Sequence, residues 1–357
     1  MKNLLLPVAG SSSRYPNMRP KWLLTMPDGL LMIEKSVSKI NCRIFDKIFV
    51  IALKKHLDQF VDRKLLLKSL KKNISNKIEI LELEKETTCQ AETIVKFLEL
   101  SNMKGSFLIK DCDNEFLIDK KFISNKSIKN CVFAININDL ELLDAKNKSY
   151  IQIDKFNNIT NIIEKKVISN LFSCGAYGFQ DSREFLVNAK ELLKTSKNIF
   201  ISHVILKMLL SGINFQYIKT SKYADWGTVK DFRIWQSKFI TIFCDFDGCL
   251  VENGSKFKKN GWNSKLIHKN IESLKLLQKK TFVKLIITTS RPNSEVPRIK
   301  KILKSNNIIF HGIISDLPHS KRILINDFSI TNPYPSAISI NIERNSSELS
   351  NIFSNLI

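Results

Sequence analysis

The chain has 357 residues, more than one hydrophobic core usually serves, so two domains are the first expectation. Its 43% apolar content is ample for packed cores and excludes wholesale disorder, and no run approaches the roughly 18 apolar residues of a membrane span. The formal charge of +22 invites a nucleic-acid reading, yet the lysines are spread along the whole chain with no arginine block, recognition-helix pattern or aromatic RNA-binding signature.

The opening MKNLLLPVAG holds too short an apolar segment for a signal peptide and runs straight into a polar loop, so it reads as the first strand. The runs KIFVIAL, KIEILEL, SFLIKDCD and CVFAINI are rich in Ile, Val, Leu and Phe and read as further strands. Between them, 54–72 and 91–101 carry helical spacing. Such alternation predicts an α/β protein with a mainly parallel sheet covered on both faces. Around 238–243 the alternation restarts with FITIFCDFDG and continues with KLIITTSRP and KRILINDF, which divides the chain into 1–238 and 239–357. The seven cysteines are scattered and form no C-x-x-C pair, so neither a disulfide framework nor a zinc site is expected, and the protein is expected in the cytoplasm.

In open α/β sheets ligands collect at the carboxyl ends of strands, where loops and helix N-termini present backbone N–H groups. The loop Gly10-Ser11-Ser12-Ser13-Arg14 falls at such a place, and Pro20-Lys21 follows with a second cation. The series continues with Thr87-Thr88-Cys89-Gln90-Ala91-Glu92-Thr93-Ile94, Asp111-Cys112-Asp113-Asn114, Ile163-Glu164-Lys165, Gly175-Ala176-Tyr177-Gly178-Phe179 and Asp225-Trp226-Gly227-Thr228. In this order the blocks resemble the sugar nucleotidyltransferases (nucleotide-sugar pyrophosphorylases), over about 235 residues.

That resemblance implies a Rossmann-like fold and attack by a sugar or polyol phosphate on the α-phosphorus of a nucleoside triphosphate, releasing pyrophosphate. It implies a nucleotide cradle of Ala9, Gly10, Ser11, Ser12, Ser13, Gln90 and Thr93, with Arg14 and Lys21 on the β- and γ-phosphates. Glu164 and Gly175 would meet the acceptor, Lys165 its phosphate, and Asp111 or Asp113 with Asp225 would hold Mg2+. Two positions depart from the family pattern: Ser12 stands where a second Gly is usual, and Cys89-Gln90 where Gly-Ala is frequent. The forms of the Thr87 and Asp111 blocks lean towards CTP and towards capsular or surface-polysaccharide synthesis.

In the second domain Asp245-Phe246-Asp247-Gly248 follows an apolar strand and resembles motif one of the haloacid dehalogenase (HAD) superfamily. There the first carboxylate takes a phosphoryl group and the second acts as acid and base. Thr288-Thr289-Ser290-Arg291 resembles motif two, with Thr289 on the phosphoryl oxygens, and Ile325-Asn326-Asp327 motif four, with Asp327 joining Asp245 and Asp247 around a second Mg2+. The motif-three lysine stays open among Lys300, Lys301, Lys304 and Lys321, and the short spacing of motifs one and two leaves room for no large cap. The expectation is a bifunctional enzyme acting on phosphorylated small molecules, without nucleic acid or a membrane span, and able to oligomerise. Its rivals are a nucleotidyltransferase carrying an inactive second domain and, from the charge, a nucleic-acid-binding protein.

Overall fold

The computed structural model describes residues 2–118, 128–140, 147–259, 261–327 and 337–354, which fall into two compact units, Met1–Phe232 and Arg233–Ile357. In the first unit the strands are β1 (Lys2–Val8), β2 (Lys47–Leu53), β3 (Ile78–Leu83), β4 (Ser106–Lys110), β5 (Asn114–Ile118), β6 (Cys131–Asn136), β7 (Ser149–Ile153), β8 (Ile159–Glu164), β9 (Leu171–Phe179) and β10 (Gln216–Asp225). They form one sheet in the order β3-β2-β1-β4-β9-β6-β10-β5, with β7 and β8 branching from β9. The sheet is parallel from β3 to β4 and again at β6 and β10. It is interrupted by β9, which is antiparallel to β4, β6 and β7.

Alternation along the strands divides the core between the two faces, since successive side chains point opposite ways. Leu4, Leu6, Ile48, Val50 and Ala52 pack on one face with Trp22, Ile33 and Leu57. Leu5, Phe49, Ile51 and Leu53 pack on the other with Ile94, Phe97 and Phe107. Burial on both faces explains why these strands read as nearly continuous apolar runs.

The helical stretch expected over 54–72 is two helices, Lys54–Phe60 and Arg63–Asn73. Asp62 separates them: its carboxylate accepts the Leu65 amide at 2.9 Å, capping the second helix.

The second unit carries three parallel strands, β11 (Phe239–Asp245), β12 (Phe282–Thr288) and β13 (Gly312–Ile314), in register Asp245, Thr288, Ile314. Leu274 and Leu277 of helix His268–Lys280 and Ile299 and Leu303 of helix Val296–Ser305 cover Leu285 and Ile287 of β12. The expected strand KRILINDF is not formed over its described residues, Lys321–Asp327. Ile323 and Ile325 are 82% and 89% exposed. An apolar run becomes a strand only where a ladder accepts its backbone groups and a core its side chains, and this segment has neither among the described residues.

Candidate active sites

The carboxyl ends of β1, β4, β8 and β10 open on one cavity of about 410 Å³ in the first unit. Of the residues picked from the sequence, Gly10, Ser11, Ser12, Ser13, Arg14, Lys21, Gln90, Thr93, Asp111, Asp113, Glu164, Gly175 and Asp225 line it. Ala9 is buried behind the loop, and Lys165 is exposed with its ammonium 4.7 Å from the centre of the Phe200 ring.

The loop after β1 is shaped by Ser12. Its φ of 54° lies in the left-handed region that a glycine would occupy without strain. Its carbonyl accepts the Tyr15 amide at 2.8 Å, and its hydroxyl accepts the Lys21 amide at 3.2 Å. The departure from Gly therefore fastens the segment that carries Lys21. Tyr15 is buried beneath, its hydroxyl donating to the carbonyls of Trp226 and Thr228, so the first loop and the Asp225–Thr228 turn are held together.

Asp111, Cys112 and Asp113 form the turn between β4 and β5. Lys110 is completely buried beneath it and donates to the carbonyls of Asp111 (2.7 Å) and Asn114 (2.9 Å) and to Asn114 Oδ1 (2.7 Å). Gly175 of β9 lies against the same turn. Its φ is +71°, and a Cβ there would stand 2.2 Å from Asp111 Oδ2. This close approach explains the glycine better than acceptor binding does.

The two carboxylates of the turn have separate partners. Asp111 Oδ1 accepts the Gln90 amide at 2.5 Å, and burial together with the neighbouring Asp113 pushes Asp111 up to about 6. Burial also opposes ionisation of Asp113, but Lys21, 2.5 Å away, outweighs it and holds that carboxyl well below the usual range. Asp225 is pushed up by burial and by Asp113, against an ion pair with Lys148. A Cβ on Gly227 would lie 3.3 Å from Asp225 Oδ1, 3.7 Å from Asp113 Oδ2 and 3.7 Å from Arg14 Nη1, so these three groups border one small volume.

Glu164 is held by the hydroxyls of Ser149 and Ser202. The Thr93 hydroxyl is taken up by Thr87 (2.7 Å) and the Cys89 carbonyl (3.3 Å). Sequence reasoning missed Lys110 and Lys148, because one lysine among 56 basic residues carries no signal of its own, and Tyr15, whose partners Trp226 and Thr228 lie more than 200 positions away. Among the described residues no three His, Cys, Asp or Glu side chains make a ready metal cage. Asp113 and Asp225 nevertheless fit magnesium, which commonly takes one or two carboxylates and completes its shell with phosphate oxygens and water.

In the second unit Asp245 ends β11, and Thr289 follows β12. Thr289 donates to Asp247 at 3.1 Å. Arg291, 1% exposed, forks onto Asp247 at 2.7–3.1 Å, donates to the Trp262 carbonyl at 2.8 Å and lies over the Phe246 and Trp262 rings. Asp245 is pushed up by burial, against Arg322, which pairs with it at 3.1 Å. The cation beside Asp245 is thus Arg322, while the four lysines considered for motif three are exposed. Asp327 lies in the exposed segment outside any strand. Asp245 and Asp247 each lie on a guanidinium group and Asp327 lies in solvent, so the described residues of this unit bring no third carboxylate to the pair.

No protein-family model matches the chain, and no curated protein matches it. Solved structures do. A nucleoside-diphosphate-sugar pyrophosphorylase from Vibrio cholerae superposes with a TM-score of 0.53 at 19% identity, over 65% of this chain and 99% of its own. The inositol-1-phosphate CTP transferase of T. maritima does so with a TM-score of 0.52 at 15% identity, over 65% and 91%. A Bacillus anthracis protein assigned as a glucose-1-phosphate thymidylyltransferase gives 0.53 at 21%, over 66% and 94%. About two thirds of the chain therefore has the fold of the nucleotide-sugar pyrophosphorylases and related nucleotidyltransferases.

Proposed function

We propose that the first unit transfers a nucleotidyl group from a nucleoside triphosphate, CTP by preference, to a sugar or polyol phosphate and releases pyrophosphate. The observation that carries this reading is the convergence of Arg14, Asp113 and Asp225 around Gly227, beside the serine loop and Lys21. Such chemistry needs reactants held in line and charge neutralised more than it needs a protein nucleophile. The backbone of Gly10–Ser13 and the cations Arg14 and Lys21 would bind the triphosphate, and Glu164, fixed by its two serines, would orient acceptor hydroxyls. Asp113 and Asp225 would hold magnesium, which supplies charge neutralisation at the phosphates when bound. The CTP transferase among the similar structures supports the choice of base, as does the leaning of the motifs.

For the second unit we propose phosphate-monoester hydrolysis with Asp245 as nucleophile, Asp247 as acid and base and Thr289 on the phosphoryl oxygens, serving the synthesis of an activated surface-polysaccharide precursor in the cytoplasm. The pair Arg322–Asp245 and the exposed Lys321–Asp327 segment favour the rival, a unit without catalysis.

The test offers each of the four nucleoside triphosphates with a panel of sugar and polyol phosphates, and assays pyrophosphate and phosphate separately. Arg14→Ala should weaken nucleotide use by roughly 1.5–3 kcal/mol, the worth of a charge-assisted phosphate contact. Pyrophosphate release unaltered by that substitution would overturn the assignment of the loop.

A further inference from the structure

Lys148 immediately precedes β7 and faces the cavity. Its ammonium pairs with Asp225 and lies 3.0 Å from the Tyr223 hydroxyl, and its carbonyl accepts the Lys165 amide at 2.9 Å. Both partners of the ion pair are well covered, with side chains 14% and 17% exposed. The next residue, Ser149, holds Glu164. Lys148 thus touches both the carboxylate suited to a metal and the strand end that carries the acidic residue on the acceptor side. Lys165, chosen from the sequence for the acceptor's phosphate, is exposed at the edge of the cavity, its ammonium over the ring of Phe200, which lines it.

We propose that Lys148 is the cation that receives the acceptor's phosphate, and that it does so by leaving Asp225 when a divalent cation takes that carboxylate. This rests on the nucleotidyltransferase reading of the pocket. The cavity is lined by Asp111, Asp113, Asp225 and Glu164 and by three cations, Arg14, Lys21 and Lys148; with Arg14 and Lys21 assigned to the triphosphate, Lys148 is left for an incoming phosphomonoester. A divalent charge at Asp225 competes with Lys148 for the carboxylate, and the repulsion between the two cations favours release of the ammonium. A lysine is suited to such an exchange: its point charge rides on a flexible stem and re-aims its three donors without a fixed fork geometry. Tyr223 offers the displaced ammonium a neutral partner, 3.0 Å from its present position. The ligand class that follows is a phosphomonoester, received only after the metal.

The test uses the full chain as wild type, Lys148→Met and Lys148→Arg. Calorimetry titrates magnesium alone, then inorganic phosphate with and without magnesium. Wild type should bind phosphate more tightly with magnesium present. Lys148→Met should lose that gain, with affinity down roughly tenfold, about the worth of one charge-assisted contact. It should also bind magnesium alone at least as tightly as wild type, since no ammonium competes, and Lys148→Arg should keep part of the coupling. In turnover Lys148→Met should raise KM for the acceptor far more than KM for the nucleotide. Phosphate binding by Lys148→Met that matches wild type, or wild-type phosphate binding indifferent to magnesium, would overturn the proposal. If Lys148→Met fails to fold, Lys148→Arg and the wild-type coupling still decide it. Failure of the wild type to release pyrophosphate with any substrate pair would instead sink the nucleotidyltransferase reading, and the calorimetry would still judge Lys148.

Discussion

Lys110 shows how much a single side chain carries in this site. A buried ammonium is costly unless its donors are met, and all three find oxygen acceptors in the turn that presents Asp111 and Asp113. Lys110→Met keeps the length and apolar bulk but orphans two carbonyls and an amide oxygen. The expected loss is about 3 kcal/mol of unfolding free energy, measured by urea denaturation of the full chain, and stability unchanged would mean that the turn holds itself. Nothing in the sequence marks Lys110, which ends an apolar strand like any surface lysine would. Arg14, Lys21, Asp111, Asp113 and Asp225 were legible because they stand in ordered motifs. The ion pairs of Asp113 and Asp225 were not, since each joins distant parts of the chain: Lys21 lies 92 positions from Asp113, and Lys148 lies 77 from Asp225.

At the scale of elements, the strands were legible wherever a buried parallel ladder demands apolar residues on both faces, as β1, β2 and β4 do. Two readings failed for local and for tertiary reasons. The break at Asp62 is a cap inside what scans as one amphipathic stretch, and Lys321–Asp327 is apolar by sequence yet finds no ladder. The β4–β5 turn makes a prediction of its own, because β9 crowds it. Asp111 is raised from an ordinary carboxyl to about 6, so the native state binds that proton more tightly than the unfolded chain does. The stability linked to this group is present below the unfolded pKa and is lost as pH rises through about 6. Asp111→Asn keeps shape and removes the charge. Without magnesium it should therefore melt higher than wild type at pH 7.5, by roughly 2–4 °C for each kcal/mol regained in a unit the size of Met1–Phe232, and the gap should close as pH falls towards 4. Melting curves across that range check it, and a gap that widens on acidification would refute the assignment.

For the molecule as a whole, the two units have separate hydrophobic cores, one pair of layers around the large sheet and one cluster around β12. The first unit's blocks were legible at this scale because they bring a loop, acids and cations to the strand ends around one cavity in a fixed chain order. What could not be read was how the second unit balances its charges, since arginines 44 positions downstream of Asp247 and 77 downstream of Asp245 are paired with them only by folding. Substitutions in separate cores should act independently. Asp225→Ala should abolish pyrophosphate release while phosphate release from monoesters continues. On the hydrolase reading proposed for the second unit, Asp245→Asn should do the reverse: it would remove the attacking charge while keeping volume, so phosphate release should fall by orders of magnitude. Arg322→Ala then divides the two readings of the second unit. Were Arg322 a substrate-binding cation, phosphate release should fall; were it a plug on the nucleophile of an inactive unit, removing it should uncover hydrolysis that the wild type lacks. The measurement is phosphate release by the three single variants and the wild type on one panel of monoesters. Loss of both activities from Asp225→Ala alone, with the fold intact by circular dichroism, would overturn the division of labour between the units.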